Sequence, residues 1–196
     1  EEEFFRILKE VKKESRLQET DQYLQHGVTS VYRHSLAVAY FSCYLAEKMH
    51  LKVRTREMIR GALLHDYFLY DWHEKSKDHR LHGFTHPARA LKNAEQIFDL
   101  TPVEKDIIKR HMFPLTPVPP AYRESYLVCL ADTGWFFADY LNMNIAGYPV
   151  NIVPVCMGTA LLVFGLSVFF ALRRFVTETS ALSRESRLLA LFKRRG

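Results

Sequence analysis

A histidine and an aspartate, His65 and Asp66, directly follow the apolar run 61–64. The 3-4 spacing of apolar residues predicts a helix from about Thr55 to Tyr67, and Asp66 falls on its apolar face. A buried carboxylate is costly unless a cation or a hydrogen-bond donor compensates its charge. We therefore expect Asp66 to meet a metal ion, an arginine or another donor inside the fold.

Two further ligand-type side chains lie on the apolar stripes of predicted helices. His34 shares a face with apolar residues on a helix from about Thr29 to Met49, which Thr29 or Ser30 would cap. Asp132 has the same placement on a helix from about Ala121 to Leu141. Helix formers and 3-4 spacing dominate the chain, whereas strand signals are weak. The sequence therefore predicts an all-α fold.

Two more histidines lie beside predicted helix boundaries. Thr85-His86-Pro87 is typical of a helix start, with Thr85 as the cap and the proline in the first turn. Thr101-Pro102-Val103-Glu104 is the pattern of a capping box, and His111 lies on the apolar face of the helix that it opens. Both histidines could therefore converge on a ligand.

The six side chains together indicate a metal site. They are His34, His65, Asp66, His86, His111 and Asp132. Taken singly, each histidine could be a core residue bonded to a carbonyl group, and each aspartate could be paired with an arginine. As a set, imidazole and carboxylate groups without thiolate suit iron, manganese, zinc or cobalt. Asp66 could bridge two such ions while His65 binds one of them.

A polar and aromatic segment, residues 68–85, is predicted to be a long loop beside this site. We expect its cations to contact phosphate oxygens and its aromatic rings to contact a base. The cations with a catalytic role are Lys75, Lys77 and Arg80, and the substrate-binding residues are Trp72, His82 and Phe84. The alternative is a solvated charged loop.

The order His, His-Asp, His, His, Asp resembles the HD-domain metal-dependent phosphohydrolases. Arg33-His34-Ser35, Ala62-Leu63-Leu64-His65-Asp66 and Leu130-Ala131-Asp132 carry the local likeness, and His86 and His111 resemble the additions of two-metal members. The likeness covers about residues 25–141 and is greatest to small bacterial HD proteins similar to symmetrical diadenosine-tetraphosphate hydrolases.

This resemblance implies an HD-domain helical bundle with two divalent ions, iron or manganese, that hydrolyses a phosphate ester or anhydride bond in a nucleotide. Asp66 would then be both a metal ligand and a catalytic residue. Two other functions stay open. One is a non-catalytic nucleotide-sensing module tethered to a membrane, and the other is a membrane-anchored interaction protein with structural histidines.

The chain after the predicted HD domain is first hydrophobic and then basic. Residues 152–172 contain no charged side chain and are long enough to cross a bilayer core of about 30 Å. The sequence predicts a peripheral helix at 1–26, an HD domain at 27–145, a hydrophobic helix at 150–173 that is a candidate transmembrane span, and a basic amphipathic tail at 174–196. A buried hairpin or a dimer-forming helix is the alternative for the hydrophobic segment.

The net charge of +5 is confined to the tail, because residues 173–196 carry seven basic and two acidic side chains and the remainder is neutral. The main domain therefore gives no case for nucleic-acid binding. The three cysteines lie in apolar runs, as expected in a reducing compartment. We expect a cytoplasmic catalytic domain, membrane association through 152–172, and compatibility with an oligomer.

Overall fold

The computed structural model describes residues 2–26, 29–74 and 81–145, with side chains for 2–25, 29–74 and 81–134. These residues are mostly helical, which confirms the predicted all-α class; two short strands form one antiparallel hairpin. The elements in chain order are α1 (Glu2–Glu14), a 3-10 helix (Leu17–Gln22), β1 (Leu24–His26), β2 (Thr29–Ser30), α2 (Val31–Lys48), α3 (Thr55–Leu64), α4 (His82–Glu95), α5 (Pro102–Arg110) and α6 (Arg123–Ile145).

Helix α3 lies at the centre of the bundle and contacts α1, α2 and α5, while α2 and α5 both pack against α6. Its close contact with α5 depends on Gly61, where a Cβ atom would lie 2.8 Å from Ile107 Cδ1. The buried core includes Leu63, Leu64 and Ile108. The bundle thus fixes α3, and with it the residues that follow α3, among the five other α-helices.

The N-terminal residues 1–26 do not form the single helix that their charged, periodic pattern indicates. Helix α1 ends at Glu14 because the Ser15 hydroxyl donates to the Val11 carbonyl at 2.6 Å and accepts from the Leu17 amide at 3.2 Å. Phe4, Leu8 and Val11 of α1 are buried, whereas Phe5 is exposed. The chain then turns into β1, close to the His-Asp segment.

Helix α2 begins where the hairpin ends. Ser30 lies in β2 and caps the helix by accepting a hydrogen bond from the Arg33 amide at 3.3 Å, which decides between the two predicted caps. Leu24 of β1 pairs with Ser30 across the hairpin. His34 therefore lies in the first turn of a helix whose start is tied to β1.

Helix α4 begins one turn earlier than the sequence indicates. It starts at His82, after Leu81 in a left-handed conformation (φ 63°), and Pro87 lies inside the helix. Thr85 does not cap it, because its hydroxyl instead donates to the Leu81 carbonyl within the helix at 3.3 Å. This earlier start places His82 and His86 one turn apart on the same helix face.

The predicted capping box of α5 is confirmed by reciprocal bonds between Thr101 and Glu104. In contrast, α3 ends at Leu64 rather than near Tyr67. A tight turn follows, in which the Phe68 amide donates to the Asp66 carbonyl at 2.8 Å. This turn lets His65 and Asp66 leave the helix and point into the bundle.

Within the part of the chain that the structure describes, no helix combines the length and apolarity needed to cross a membrane. The predicted hydrophobic helix, residues 150–173, and the basic tail, residues 174–196, lie outside the described residues. Membrane association therefore stays a prediction from the sequence.

Candidate metal centre

The structure brings all six predicted ligands together from five helices or their ends. His34 comes from α2, His65 and Asp66 follow α3, His86 lies in α4, His111 follows α5, and Asp132 lies in α6. Five of the six are buried, and the Asp132 side chain retains 15% exposure. A group of imidazoles and carboxylates this deep in a core must be compensated by hydrogen bonds, protons or cations.

One half of the cluster contains His34, His65, Asp132 and one oxygen of Asp66. The Asp66 Oδ2 atom lies 3.3 Å from His65 Nε2 and 3.7 Å from His34 Nε2. His34 Nε2 is also 3.0 Å from Asp132 Oδ1 and 3.3 Å from His65 Nε2. These atoms surround one point in the core.

The other half contains His86, His111 and the second Asp66 oxygen. The Asp66 Oδ1 atom lies 3.1 Å from His86 Nε2 and 3.4 Å from His111 Nε2, and the two Nε2 atoms are 2.8 Å apart. Each oxygen of the Asp66 carboxylate therefore faces a different pair of histidines. This is the arrangement in which one carboxylate can bridge two cations.

The hydrogen bonds at the Nδ1 atoms show which ring nitrogen of each histidine carries a hydrogen. The Nδ1 atoms of His65, His86 and His111 lie 2.7, 2.9 and 2.9 Å from backbone carbonyl oxygens three or four residues earlier. A carbonyl only accepts, so each Nδ1 donates, and the Nε2 of a neutral ring is left with a bare lone pair. Bare lone pairs facing one another repel, so the cluster needs positive charge, as protons or as metal ions.

The donor set fits metal ions. An ion with metal–nitrogen distances of about 2.0–2.1 Å holds neighbouring ligand atoms about 3.0–3.4 Å apart, close to the spacing observed within each half. Asp66 Oδ1 is buried and receives no hydrogen bond from the described residues. Because the ligand atoms are imidazole nitrogen and carboxylate oxygen, iron, manganese, zinc and cobalt match them better than a thiolate-seeking ion does.

The pKa shifts of the cluster residues also indicate that their buried charges need compensation. Burial acts to raise the pKa of Asp66, but the adjacent His65 and His86 hold it well below its usual range. Burial acts to lower the pKa of His65, but the carboxylates of Asp66 and Asp132 outweigh it and raise the value to about 9. Burial lowers the pKa of His111. The carboxylates thus favour a cation beside them.

A row of aromatic rings extends from the cluster. The His82 ring stacks on His86 with centroids 4.6 Å apart, and the Trp72 ring stacks on His82 at 5.0 Å. The Tyr70 hydroxyl contacts His82 Nδ1 at 3.0 Å. Phe84 has 52% of its surface exposed. His82 thus lies next to the cluster and Trp72 lies next to His82, and their role in binding substrate stays a prediction.

The three cations predicted to contact phosphate lie outside the described residues; they are Lys75, Lys77 and Arg80. Their neighbours Glu74 and Leu81 are the nearest described positions on either side. The assigned role of these cations in contacting phosphate therefore stays a prediction.

One buried contact of the cluster is not predicted by the sequence. Gln25 of β1 donates from Nε2 to Asp66 Oδ2 at 2.6 Å. These residues are 41 positions apart, and no periodic pattern marks Gln25 as buried. Only the fold of the hairpin against the turn after α3 reveals the contact.

A comparison with protein families matches the chain to the model described as HD domain over residues 31–133. The match covers more than half of the chain and includes all six residues of the cluster. A comparison with curated proteins finds no similar sequence. The matched interval begins at α2, so α1 and the β1 strand precede it.

Proposed function

The chain belongs to the HD domain family, a family of metal-dependent phosphohydrolases, and on that basis we propose that it hydrolyses phosphate ester or anhydride bonds with two divalent ions. The single observation that carries this proposal is the placement of Asp66, whose two carboxylate oxygens face two different histidine pairs. A histidine cluster that served only to stabilise the core would not require such a bridge.

In the proposed centre, His34, His65 and Asp132 would hold one ion, His86 and His111 would hold the other, and Asp66 would be a ligand of both. Iron and manganese are the proposed ions, as the resemblance to two-metal HD phosphohydrolases implies, and the nitrogen and oxygen donors suit them and offer no thiolate. Ions bound there would activate water and withdraw charge from phosphoryl oxygens. The Nδ1 bonds to backbone carbonyls hold three of the histidine rings in the orientation that presents Nε2 to the centre.

We further propose that the substrate is a nucleotide. The support is the row of stacked rings, in which Trp72 and His82 continue outward from His86 and match the flat shape of a base. Phe84 would add a further apolar contact. The cations Lys75, Lys77 and Arg80 fall between Trp72 and His82 in the sequence, where they could neutralise phosphate charge.

The test is a hydrolysis screen with Mn²⁺ or Fe²⁺ on nucleoside mono-, di- and triphosphates, dinucleoside tetraphosphates and a generic phosphate ester. Release of phosphate or a nucleotide by the wild-type protein, abolished in His65→Ala, is the expected result. Tyr40→Ala, which alters an exposed ring on α2, is the control and should keep full activity. No hydrolysis by metal-loaded protein with tight nucleotide binding would contradict the enzyme proposal and favour a sensing module.

We also propose that the catalytic domain is cytoplasmic and that residues 152–172 attach it to a membrane. The support is the absence of charge in that segment, together with the basic residues that follow it. Cell fractionation of the full chain and of a chain ending at residue 150 tests this. Recovery of both proteins in the soluble fraction would contradict it.

A further inference from the structure

Gln25 precedes the interval 31–133 that the family model matches, yet its side chain reaches the metal centre. It is 7% exposed, and its Nε2 atom donates to Asp66 Oδ2 at 2.6 Å. A carboxylate oxygen only accepts hydrogen bonds, so the amide nitrogen must be the atom that faces Asp66. The orientation of the Gln25 amide is therefore fixed by its partner.

The other end of the same amide is buried without a partner. Gln25 Oε1 receives no hydrogen bond from the described residues. Folded proteins rarely leave a buried acceptor unmet, and water or a ligand commonly supplies the donor. Gln25 thus has one atom that holds a metal-site carboxylate and one atom available to a donor from outside the chain.

The backbone around Gln25 is held in place by the segments that carry the ligands. The Trp72 indole donates to the Leu24 carbonyl at 3.1 Å, which ties β1 to the segment after His65 and Asp66. Leu24 also pairs with Ser30, the cap of the helix that carries His34. The position of Gln25 relative to the cluster is therefore fixed by contacts on both sides.

We propose that Gln25 is a positioning residue of the metal centre, which holds the Asp66 carboxylate so that each oxygen faces its own histidine pair and which presents Oε1 to a water or hydroxyl group in the centre. A carboxylate can rotate about its bond to Cβ unless its oxygens are held. The bond to Oδ2 removes this freedom. The inference rests on the proposed function, because it assumes that the cluster binds ions.

The test is a Mn²⁺ titration of chelator-treated Gln25→Leu, with free Mn²⁺ followed by electron paramagnetic resonance. Leucine has a similar size but neither donates nor accepts. Because partners of metal ligands typically change affinity by about 10–100-fold, we expect at least one ion to bind about tenfold more weakly or worse. The signal of two coupled Mn²⁺ ions should also weaken. Gln22→Leu, at an exposed position of the 3-10 helix, should behave as wild type.

A second readout separates positioning from simple stabilisation. The melting temperature of metal-free Gln25→Leu should stay within about 3 °C of the wild-type value, a shift that corresponds to a small change in stability for a chain of this size. A larger fall in the metal-free melting temperature would overturn the proposal, because it would assign Gln25 a structural role. Unchanged Mn²⁺ affinity with an unchanged coupled signal would overturn it as well.

A second variant tests the same contact without placing an apolar side chain beside the cluster. Gln25→Asn keeps the amide but is one methylene shorter, so it cannot keep the 2.6 Å contact without moving β1. The same weakening of Mn²⁺ binding is expected, and wild-type affinity would overturn the proposal. Failure of the wild-type protein itself to bind Mn²⁺ would overturn the proposed function, and it is distinguished by appearing without any substitution.

Discussion

Asp66 and Glu104 are both buried carboxylates, with 2% and 0% exposure, but they are compensated in different ways. Arg60 donates to both oxygens of Glu104, at 2.5 and 2.7 Å, and the Thr101 amide adds a third bond at 2.8 Å. The protein itself thus supplies the cation that Glu104 needs. Hydrogen bonding to Glu104 in turn raises the pKa of Arg60.

Asp66 has no arginine or lysine among its described partners. It faces four imidazole nitrogens, three of them on rings whose Nδ1 hydrogen is bonded to a carbonyl, and it receives one amide hydrogen from Gln25. The difference shows how a buried charge can be interpreted. A carboxylate with an internal cation stabilises a fold, whereas one surrounded by ligand atoms requires a proton or an ion.

The largest expected effect comes from Asp66→Asn. The amide keeps the shape but cannot bridge two cations, so we expect hydrolytic activity to fall by on the order of 10³-fold, about 4 kcal/mol in transition-state stabilisation. The free energy of unfolding of the metal-free protein should also fall, because the ionised carboxylate is favoured by His65 and His86 and in turn raises the pKa of His65. Assays of kcat/KM and urea unfolding of the same preparation measure both effects. Wild-type activity in this variant would refute the role of Asp66.

Glu104→Ala should lower the stability without weakening metal binding. Removing one partner of a buried ion pair leaves Arg60 without its carboxylate and also removes the capping box, so the free energy of unfolding should fall by about 3–5 kcal/mol. The folded fraction should retain metal binding. The control is Glu95→Ala, which breaks the exposed pair with Lys105 and should cost less than about 1 kcal/mol. Equal losses in the two variants would contradict the comparison.

The pH dependence of the metal-free protein offers a third test. The pKa of His65 is raised to about 9 from an ordinary value of 6.5, so its protonation stabilises the fold fully below about pH 6.5. That stabilisation, up to about 3 kcal/mol, should be lost as the pH rises through 9. Urea unfolding from pH 6.5 to 9.5 after chelation measures it, with His65→Gln as the control that flattens the profile. Rising stability over this range would contradict the prediction.

The smallest effect concerns the helix contact that supports α3. Gly61→Ala would place Cβ 2.8 Å from Ile107 Cδ1 and 3.1 Å from its Cβ, so we expect a net loss of about 1–2 kcal/mol despite the better helix propensity of alanine. Gly134→Ala in α6 is the matched control, because its Cβ would meet Phe41 Cε1 at an ordinary 3.5 Å. Thermal unfolding of both variants should show destabilisation only at position 61.

The sequence predicts those features that depend on local pattern. Apolar stripes gave the helices that carry His34 and Asp132, and the Thr101 capping box is confirmed where the pattern places it. The early start of α4 was not predictable, because Thr85-His86-Pro87 is a good local start signal. The stacking of His82 on His86 is a contact that local pattern does not report.

The limits of the site prediction have the same cause. Adjacent imidazole and carboxylate residues on apolar faces indicate where ligands are, since each is hard to bury alone. The contact of Gln25 with Asp66 depends instead on how the hairpin packs against the turn after α3, which pairs residues far apart in the chain. The exposure of Phe5 beside the buried Phe4 has a similar origin, because it depends on how α1 packs against the rest of the bundle.

The most direct test is the metal content per chain, measured by elemental analysis on protein purified without chelators or metal-affinity resin. About two iron or manganese ions per wild-type chain, and fewer in Asp66→Asn, is the result that we predict. No bound metal in the wild-type protein, with a melting temperature that added Mn²⁺ or Fe²⁺ leaves unchanged, would contradict it and would leave the six side chains with a structural role.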